Sequence, residues 1–398
     1  MGVMKMIKQI IKNICDTVGI DAKRRGAIHK FLHGDKKIIY NVNKKQHNKR
    51  CLFIYITFPF TQKNIPLYHQ NVWQAREWVK IFDEFGYTVD VADYQRDDIE
   101  PKYDYDLVIG LIPRGIDIYS KHMKPGCKVI AYLTSCDGIY TKNQELMRIR
   151  GIEDRRGVFL KPRYGNMVIE KRIENFDAAF FMGNEYNVKS YSNFSMPGIC
   201  YIKNTGHNFD VKKMDYESKS SKKFVYFGSA GNVHKGLDLL LEVFAELGSP
   251  YELFVCGDFK NEEDFCQVYE KELYHTDNIH PIGRIEIDSD EFWQLMNQCG
   301  YSFFASSTEG MAGSVLTTMS AGVINICSKE CGFDEADVIL LPDCSKETIA
   351  KYVVEYGNKD VEWIEDNCNK AIVTVKEKFS EECFAESVRN GLKGVLNK

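Results

Sequence analysis

Two loops in the C-terminal half of the sequence hold residue types able to grip a charged ligand. The first runs Gly228-Ser229-Ala230-Gly231-Asn232-Val233-His234-Lys235-Gly236 and sets glycines ahead of a single lysine. Glycines let backbone amides approach an anion closely, and Lys235 adds a full positive charge. The order of a P-loop is absent, and roughly half of such Gly-rich turns only reverse the chain. The second loop spans 305–322 and sets one carboxylate, Glu309, among small residues: Gly310, Met311, Ala312, Gly313, Ser314 and, further on, Thr317. A helix starting near Gly313 would turn its unpaired N-terminal amides toward the same ligand. The plainer role for Glu309 is a capping carboxylate in a first helical turn.

What must position these loops is legible from periodicity. Apolar runs at 51–58, 87–91, 107–112, 128–133, 178–182 and 199–202 read as buried strands, and a second series follows at 224–228, 252–256, 301–305, 323–327 and 338–341. Amphipathic stretches alternate with them; residues 70–85 place Val72, Ala75, Val79 and Phe82 on one face, with Gly86 as the C-cap. Helical pieces are expected at 143–150 and 168–175. The pattern predicts an α/β protein of two Rossmann-like domains, 49–203 and 204–375, with a C-terminal helix over 376–398 that crosses back to the first domain. Ligands in such sheets bind beyond the carboxyl ends of the strands, where both loops fall.

The net charge of −4 hides an asymmetry. Residues 1–50 carry thirteen Lys or Arg against three Asp, a net +10 that leaves −14 for the rest. Within 1–48, Met4, Ile7, Ile10, Ile11, Ile14 and Val18 recur at helical spacing between lysines. That is the pattern of a helix lying on an anionic membrane or packed on its own protein. Nucleic acid is not an expected partner of so acidic a body. Thirteen scattered cysteines without a CxxC pair read as reduced thiols, and no signal peptide or apolar span shows, so the expected address is cytoplasmic, with peripheral attachment to the inner membrane face as a second element. Asp288-Ser289-Asp290 reads as a helix N-cap rather than a metal motif, and His29 with His33 as a solvated helix face. His69, Gln70 and Asn71 open the first helix and are candidates to line an acceptor pocket.

Residues 224–335 resemble the donor half of the retaining GT-B glycosyltransferases of the group-1 (GT4-like) family. The pieces stand in order: the strand and Lys235-Gly236 turn, a strand ending Cys256-Gly257, Asn278 through Gly283-Arg284, a helix at 291–299, the Ser306-Ser307-Thr308-Glu309-Gly310 loop, and Met319 through Gly322. Residues 202–209 resemble that family's lead into its second domain. The resemblance implies two domains facing each other across a cleft that holds a nucleotide diphosphate sugar, with a glycan or lipid-linked acceptor and no metal or other cofactor. It implies that Lys235 meets the diphosphate, that Glu309 bonds a donor-sugar hydroxyl, and that amides of 310–314 hold sugar and phosphate. Gly228, Ser229, Gly231, Asn232, His234 and Arg284 join the expected donor site, and Ser135 and Asp137 the acceptor side. Three departures stand out: Thr317 replaces the second glutamate expected to take the ribose, Ser229 replaces an arginine, and the loop from Thr134 to Gly138 lacks a histidine. A sugar-nucleotide epimerase, a phosphorylase or a catalytically silent scaffold subunit would share the same cleft.

Overall fold

The computed structural model describes residues 38–61, 70–96, 99–111, 119–163, 176–196 and 198–397. The basic amphipathic stretch up to residue 37, His69 and the helix expected at 168–175 lie outside the described residues. The described chain forms two doubly wound α/β units. The first contains β1 (Ile38–Ile39), β2 (Lys49–Tyr55), α1 (Gln70–Glu84), β3 (Tyr87–Asp93), β4 (Tyr105–Gly110), β5 (Met123–Leu133), α2 (Gly138–Arg156), β6 (Ala178–Met182), α3 (Glu185–Val188) and β7 (Ile199–Ile202). Its strands line up as β1-β3-β2-β4-β5-β6-β7, parallel throughout except for β1 against β3. Strands such as β2 and β6 are apolar over consecutive residues because helices cover both faces.

The second unit contains β8 (Ser220–Phe227), α4 (Leu237–Leu247), β9 (Glu252–Cys256), α5 (Glu263–Val268), α6 (Glu270–Tyr274), β10 (Ile279–Gly283), α7 (Asp290–Gln298), β11 (Cys299–Phe304), α8 (Gly313–Ser320), β12 (Ile324–Ser328), β13 (Ile339–Leu341), α9 (Lys346–Gly357), α10 (Val361–Lys378) and α11 (Glu381–Leu396). The order β10-β9-β8-β11-β12-β13 is all parallel, so the winding reverses between β8 and β11. Crevices in such sheets open at that reversal, beyond the strand carboxyl ends. The loops that leave there are the two singled out above. The first unit reverses between β2 and β4 instead, with its second strand outside its first.

Contacts across the units are extensive. α11 packs on β7 and α1, with Phe384 edge-on to Trp73 at 5.7 Å and Arg389 gripping Glu84 through two hydrogen bonds of 2.7 and 2.8 Å. From α2, Arg155 reaches Asp238 and Glu242 on α4, both at 2.9 Å, while Arg156 bridges Glu242 at 3.1 Å and Glu272 at 2.8 Å. Arg148 donates to the Ala305 carbonyl at 2.9 Å. Asp238 is fully buried, and burial pushes its carboxyl up to about 6 although Arg148 and Arg155 act against it. A carboxyl raised on folding favours the fold most while protonated, so its contribution is full below about 3.8 and is lost as pH climbs through about 6. The melting temperature of the protein, measured relative to Asp238→Asn, is therefore expected to fall between pH 4 and 6 and to level off above 7. Parallel profiles for the two proteins would refute this.

Candidate active site

At the reversal of the second sheet, the two loops are stitched together by one carbonyl. His234 O accepts from the Ser307 amide at 2.7 Å, the Ser307 hydroxyl at 3.1 Å and the Ser306 hydroxyl at 3.3 Å. Gly236 makes the approach feasible: it adopts φ +77°, and a Cβ there would lie 2.3 Å from the Ala305 carbonyl oxygen. Two of the turn's central amides are already taken. Glu262 takes the Gly231 amide in a short hydrogen bond and the Asn232 amide at 3.2 Å, so a side-chain carboxylate already fills the nest expected to hold a ligand's anion. Asn232 and His234 are buried behind the turn.

Ser229 and Lys235 do face a cavity of about 830 Å³, which Gly228, Glu309, Ala312, Gly313, Ser314, Thr317 and Arg284 also line. Lys235 Nζ donates to Ser229 Oγ at 2.5 Å. Burial lowers the pKa of this ammonium, and Glu309 partly offsets the effect. The Glu309 carboxyl is raised by burial, against the pull of Lys235 and Arg163 and of the Ser306 hydroxyl 3.4 Å away. A carboxylate and an ammonium thus share one poorly solvated wall. Within the same lining α8 begins at Gly313 behind Ala312, which supplies no side-chain cap, leaving the first amides to whatever occupies the cavity. This N-terminus, more than the Gly-rich turn, leaves backbone amides open to the cavity.

The first domain closes the cavity. Gln70, the first residue of α1, donates to the Gly313 carbonyl at 2.9 Å and to Thr317 Oγ1 at 3.2 Å. It lies against the position where a second carboxylate was expected and Thr317 stands. The Glu309 main-chain carbonyl accepts from Cys136 Sγ at 2.8 Å and Asn187 Nδ2 at 3.0 Å. Gly310 is wedged so closely that a Cβ would sit 2.4 Å from the Thr134 carbonyl oxygen. Gly310 thus serves the contact between domains, while Met311 O accepts from Asn204 at 2.8 Å at the start of the second domain. Neither Gly310 nor Met311 lines the cavity.

The candidate acceptor residues are not brought together there. Asp137 caps α2, accepting from the Ile139 and Tyr140 amides at 2.9 and 3.0 Å. Asn71 hydrogen-bonds the buried Tyr55 hydroxyl. Ser135 is exposed, with its hydroxyl on the Cys136 carbonyl. Gln70, expected with its helix-opening neighbours to line an acceptor pocket, and Phe227, which opens the Gly-rich stretch, do line the cavity, whereas Asp258, Ile285, Glu286 and Ile287 were passed over in the sequence. Asp258 follows the carboxyl end of β9, and the Ile285-Glu286-Ile287 segment follows β10, so the strand-end rule would have found all four had β10 been recognised. Phe227, Ile285 and Ile287 add apolar side chains to the lining, of a kind suited to a flat ring. Among the described residues, no group of three His, Cys, Asp or Glu is placed to hold a metal ion, and no helix is long and apolar enough to cross a membrane.

Residues 208–352 match the family model of the glycosyl transferases group 1. The sequence matches no curated protein. Among solved structures, S. aureus TarM, in a complex with fondaparinux, α-GlcNAc-glycerol and UDP, superposes with a TM-score of 0.52 at 15% identity, over 73% of this chain and 55% of TarM. The chain therefore spans about half of TarM's length. Sucrose-phosphate synthase from Thermosynechococcus elongatus gives a TM-score of 0.59 at 12% identity, over 88% of this chain and all of that one. HepE from Anabaena, in complex with UDP and glucose, gives 0.55 at 11%, over 87% of this chain and all of its own. At these identities the likeness is one of fold, the GT-B arrangement of two facing Rossmann-like domains.

Proposed function

We propose, from a chain whose residues 208–352 form a group 1 glycosyl transferase domain within a GT-B fold, that the cavity binds a nucleotide diphosphate sugar and passes its sugar to an acceptor hydroxyl. The observation that carries this reading is that buried Lys235, Glu309 and the uncapped N-terminus of α8 line one cavity. When the anomeric C–O bond breaks, its electron pair stays on the departing diphosphate. Lys235 and the α8 amides are fixed where that charge develops, in a site with little water to screen it. Glu309 is the acceptor for hydrogen bonds from sugar hydroxyls. Attack from the face that the diphosphate leaves, with the acceptor's proton passing to the departing oxygen, needs no protein nucleophile and retains configuration. The apolar side chains of Phe227, Ile285 and Ile287 take the base. The acceptor is a glycan or a lipid-linked glycan, as in surface-polysaccharide synthesis. The charge of residues 1–50 favours the lipid-linked form, because each Lys or Arg near an anionic surface contributes about 1 kcal/mol.

The reading is tested by calorimetry of UDP and GDP on the full chain, followed by hydrolysis assays with the matching nucleotide sugars and added chelator. One diphosphate should bind, and Lys235→Ala should weaken it by about 1.5–3 kcal/mol, the range for hydrogen bonds to charged groups. Absence of binding by either diphosphate would remove the donor assignment. Unchanged affinity in Lys235→Ala would remove this lysine from the site.

A further inference from the structure

The cavity wall is short of positive charge for a diphosphate. Among the described residues, Lys235 is its one buried cation; Arg284 also lines it, but that side chain is largely exposed and its Nη1 lies 3.6 Å from Asp258 Oδ2. Three carboxylates, Asp258, Glu286 and Glu309, share the same wall. A third cation, the Arg163 guanidinium, stands beside the cavity and comes from the opposite domain. Arg163 follows α2 in sequence, and its main-chain amide is anchored on Glu145 Oε1 at 3.0 Å. Its Nη1 crosses to the Ala230 carbonyl at 2.6 Å, and a Cβ built on Gly231 would lie 2.3 Å from that nitrogen. Ala230 directly follows Ser229, the wall residue bonded to Lys235. The field of this guanidinium reaches both wall charges, opposing the upward effect of burial on the Glu309 carboxyl and adding to the downward effect of burial on Lys235.

We infer that Arg163, which stands beside the cavity on the Ala230 carbonyl rather than in its lining, supplies positive charge across the cleft from the N-terminal domain to the diphosphate of the bound nucleotide. This rests on the donor reading above. A guanidinium offers five N–H donors in a fixed fork, so it holds a carbonyl and keeps its charge for a phosphate nearby. Position 229, where the resembling family has an arginine, is a serine here, and Arg163 brings its charge to the neighbouring residue of the same turn. A charge delivered by the other domain is in place only when the cleft is closed. Nucleotide binding and closure are therefore linked through it.

The test is calorimetric titration of the full-length protein with UDP and GDP, using uridine and guanosine as phosphate-free probes, at low and moderate KCl. Arg163→Ala should weaken the diphosphate that the unmodified protein binds by about tenfold, or about 1.4 kcal/mol, and leave the nucleoside unchanged. Arg163→Gln keeps an N–H for the Ala230 carbonyl without the charge. It should show the same loss and a shallower salt dependence, whereas Arg163→Lys should recover most of the affinity. If diphosphate affinity is unchanged in Arg163→Gln, or if nucleoside and diphosphate weaken together, the inference is overturned while the donor reading stands. If the unmodified protein binds neither diphosphate, both fall.

Discussion

Glu309→Gln is expected to lower turnover by about 100-fold or more while changing the affinity for free nucleoside diphosphate by less than about threefold. The carboxylate lies in the loop ahead of α8, and the proposed donor pose sets the sugar against it and the diphosphate against the helix behind it. Glutamine preserves size and one acceptor oxygen, and it removes the charge that Lys235 faces. Burial already raises this carboxyl, so its neutral form is reached at a higher pH than for an exposed glutamate. The activity of the unmodified enzyme should accordingly fall on the acidic side, a limb that Glu309→Gln lacks. Steady-state rates over pH together with nucleotide titration decide the matter. Equal losses in turnover and in nucleotide affinity would place Glu309 on the nucleotide instead.

The largest effect on stability is expected at Glu242, far from that chemistry. Its carboxylate accepts from Arg155, from Arg156, from the Tyr269 hydroxyl at 2.9 Å and from Lys346 at 3.3 Å, all while nearly excluded from solvent. Burial penalises the charge, yet Arg155, Tyr269 and Arg156 outweigh it and hold the carboxyl below its ordinary value. Glu242→Ala removes the one carboxylate that three cations share, leaving each with a single carboxylate partner, Asp238, Glu272 or Glu246. Because each of them retains some exposure and can regain water, the loss should lie at the lower end of the range for a broken buried pair, about 3 kcal/mol. For a chain of this length unfolding as one unit, that corresponds to a melting temperature lower by roughly 4 °C. Glu246→Ala, which removes an exposed partner of Lys346, should cost less than about 1 kcal/mol. Thermal melts of the two variants that cannot be told apart would refute the network's role.

The strands and helices whose signals are local were legible in the sequence. Strand boundaries at 178–182, 199–202 and 252–256 coincide with β6, β7 and β9, and Ser289 caps α7 by accepting from the Phe292 amide at 3.2 Å. The helix expected at 143–150 extends over the whole of α2. Its limits were written in Asp137 as the N-cap and Gly157, at φ +71°, as the C-cap, but the helix's low apolar periodicity hid its length. β10 was missed because Pro281 and a bulge interrupt a five-residue edge strand. Within the site, Glu309, Lys235 and the start of α8 were legible because each belongs to a strand-end loop. Glu262 in the nest of the Gly-rich turn and Gln70 against Thr317 were not. The first acts from 30 residues away and the second from 247, and no local pattern encodes such a meeting.

The grip of Asn187 and Cys136 on the main chain of Glu309 bears on how the two halves of this protein can be recombined. Donor and acceptor domains of a bilobal transferase invite exchange as interchangeable parts, each with its own core. Here the loop that carries the carboxylate borrows two of its hydrogen bonds from the other lobe, and Gly310 leaves no room for a different backbone opposite it. A hybrid that grafts a foreign acceptor lobe onto this donor lobe inherits a loosened carboxylate unless those contacts travel with the graft. The seam along which such parts separate therefore runs not through the linker near residue 203 but around the residues that hold position 309.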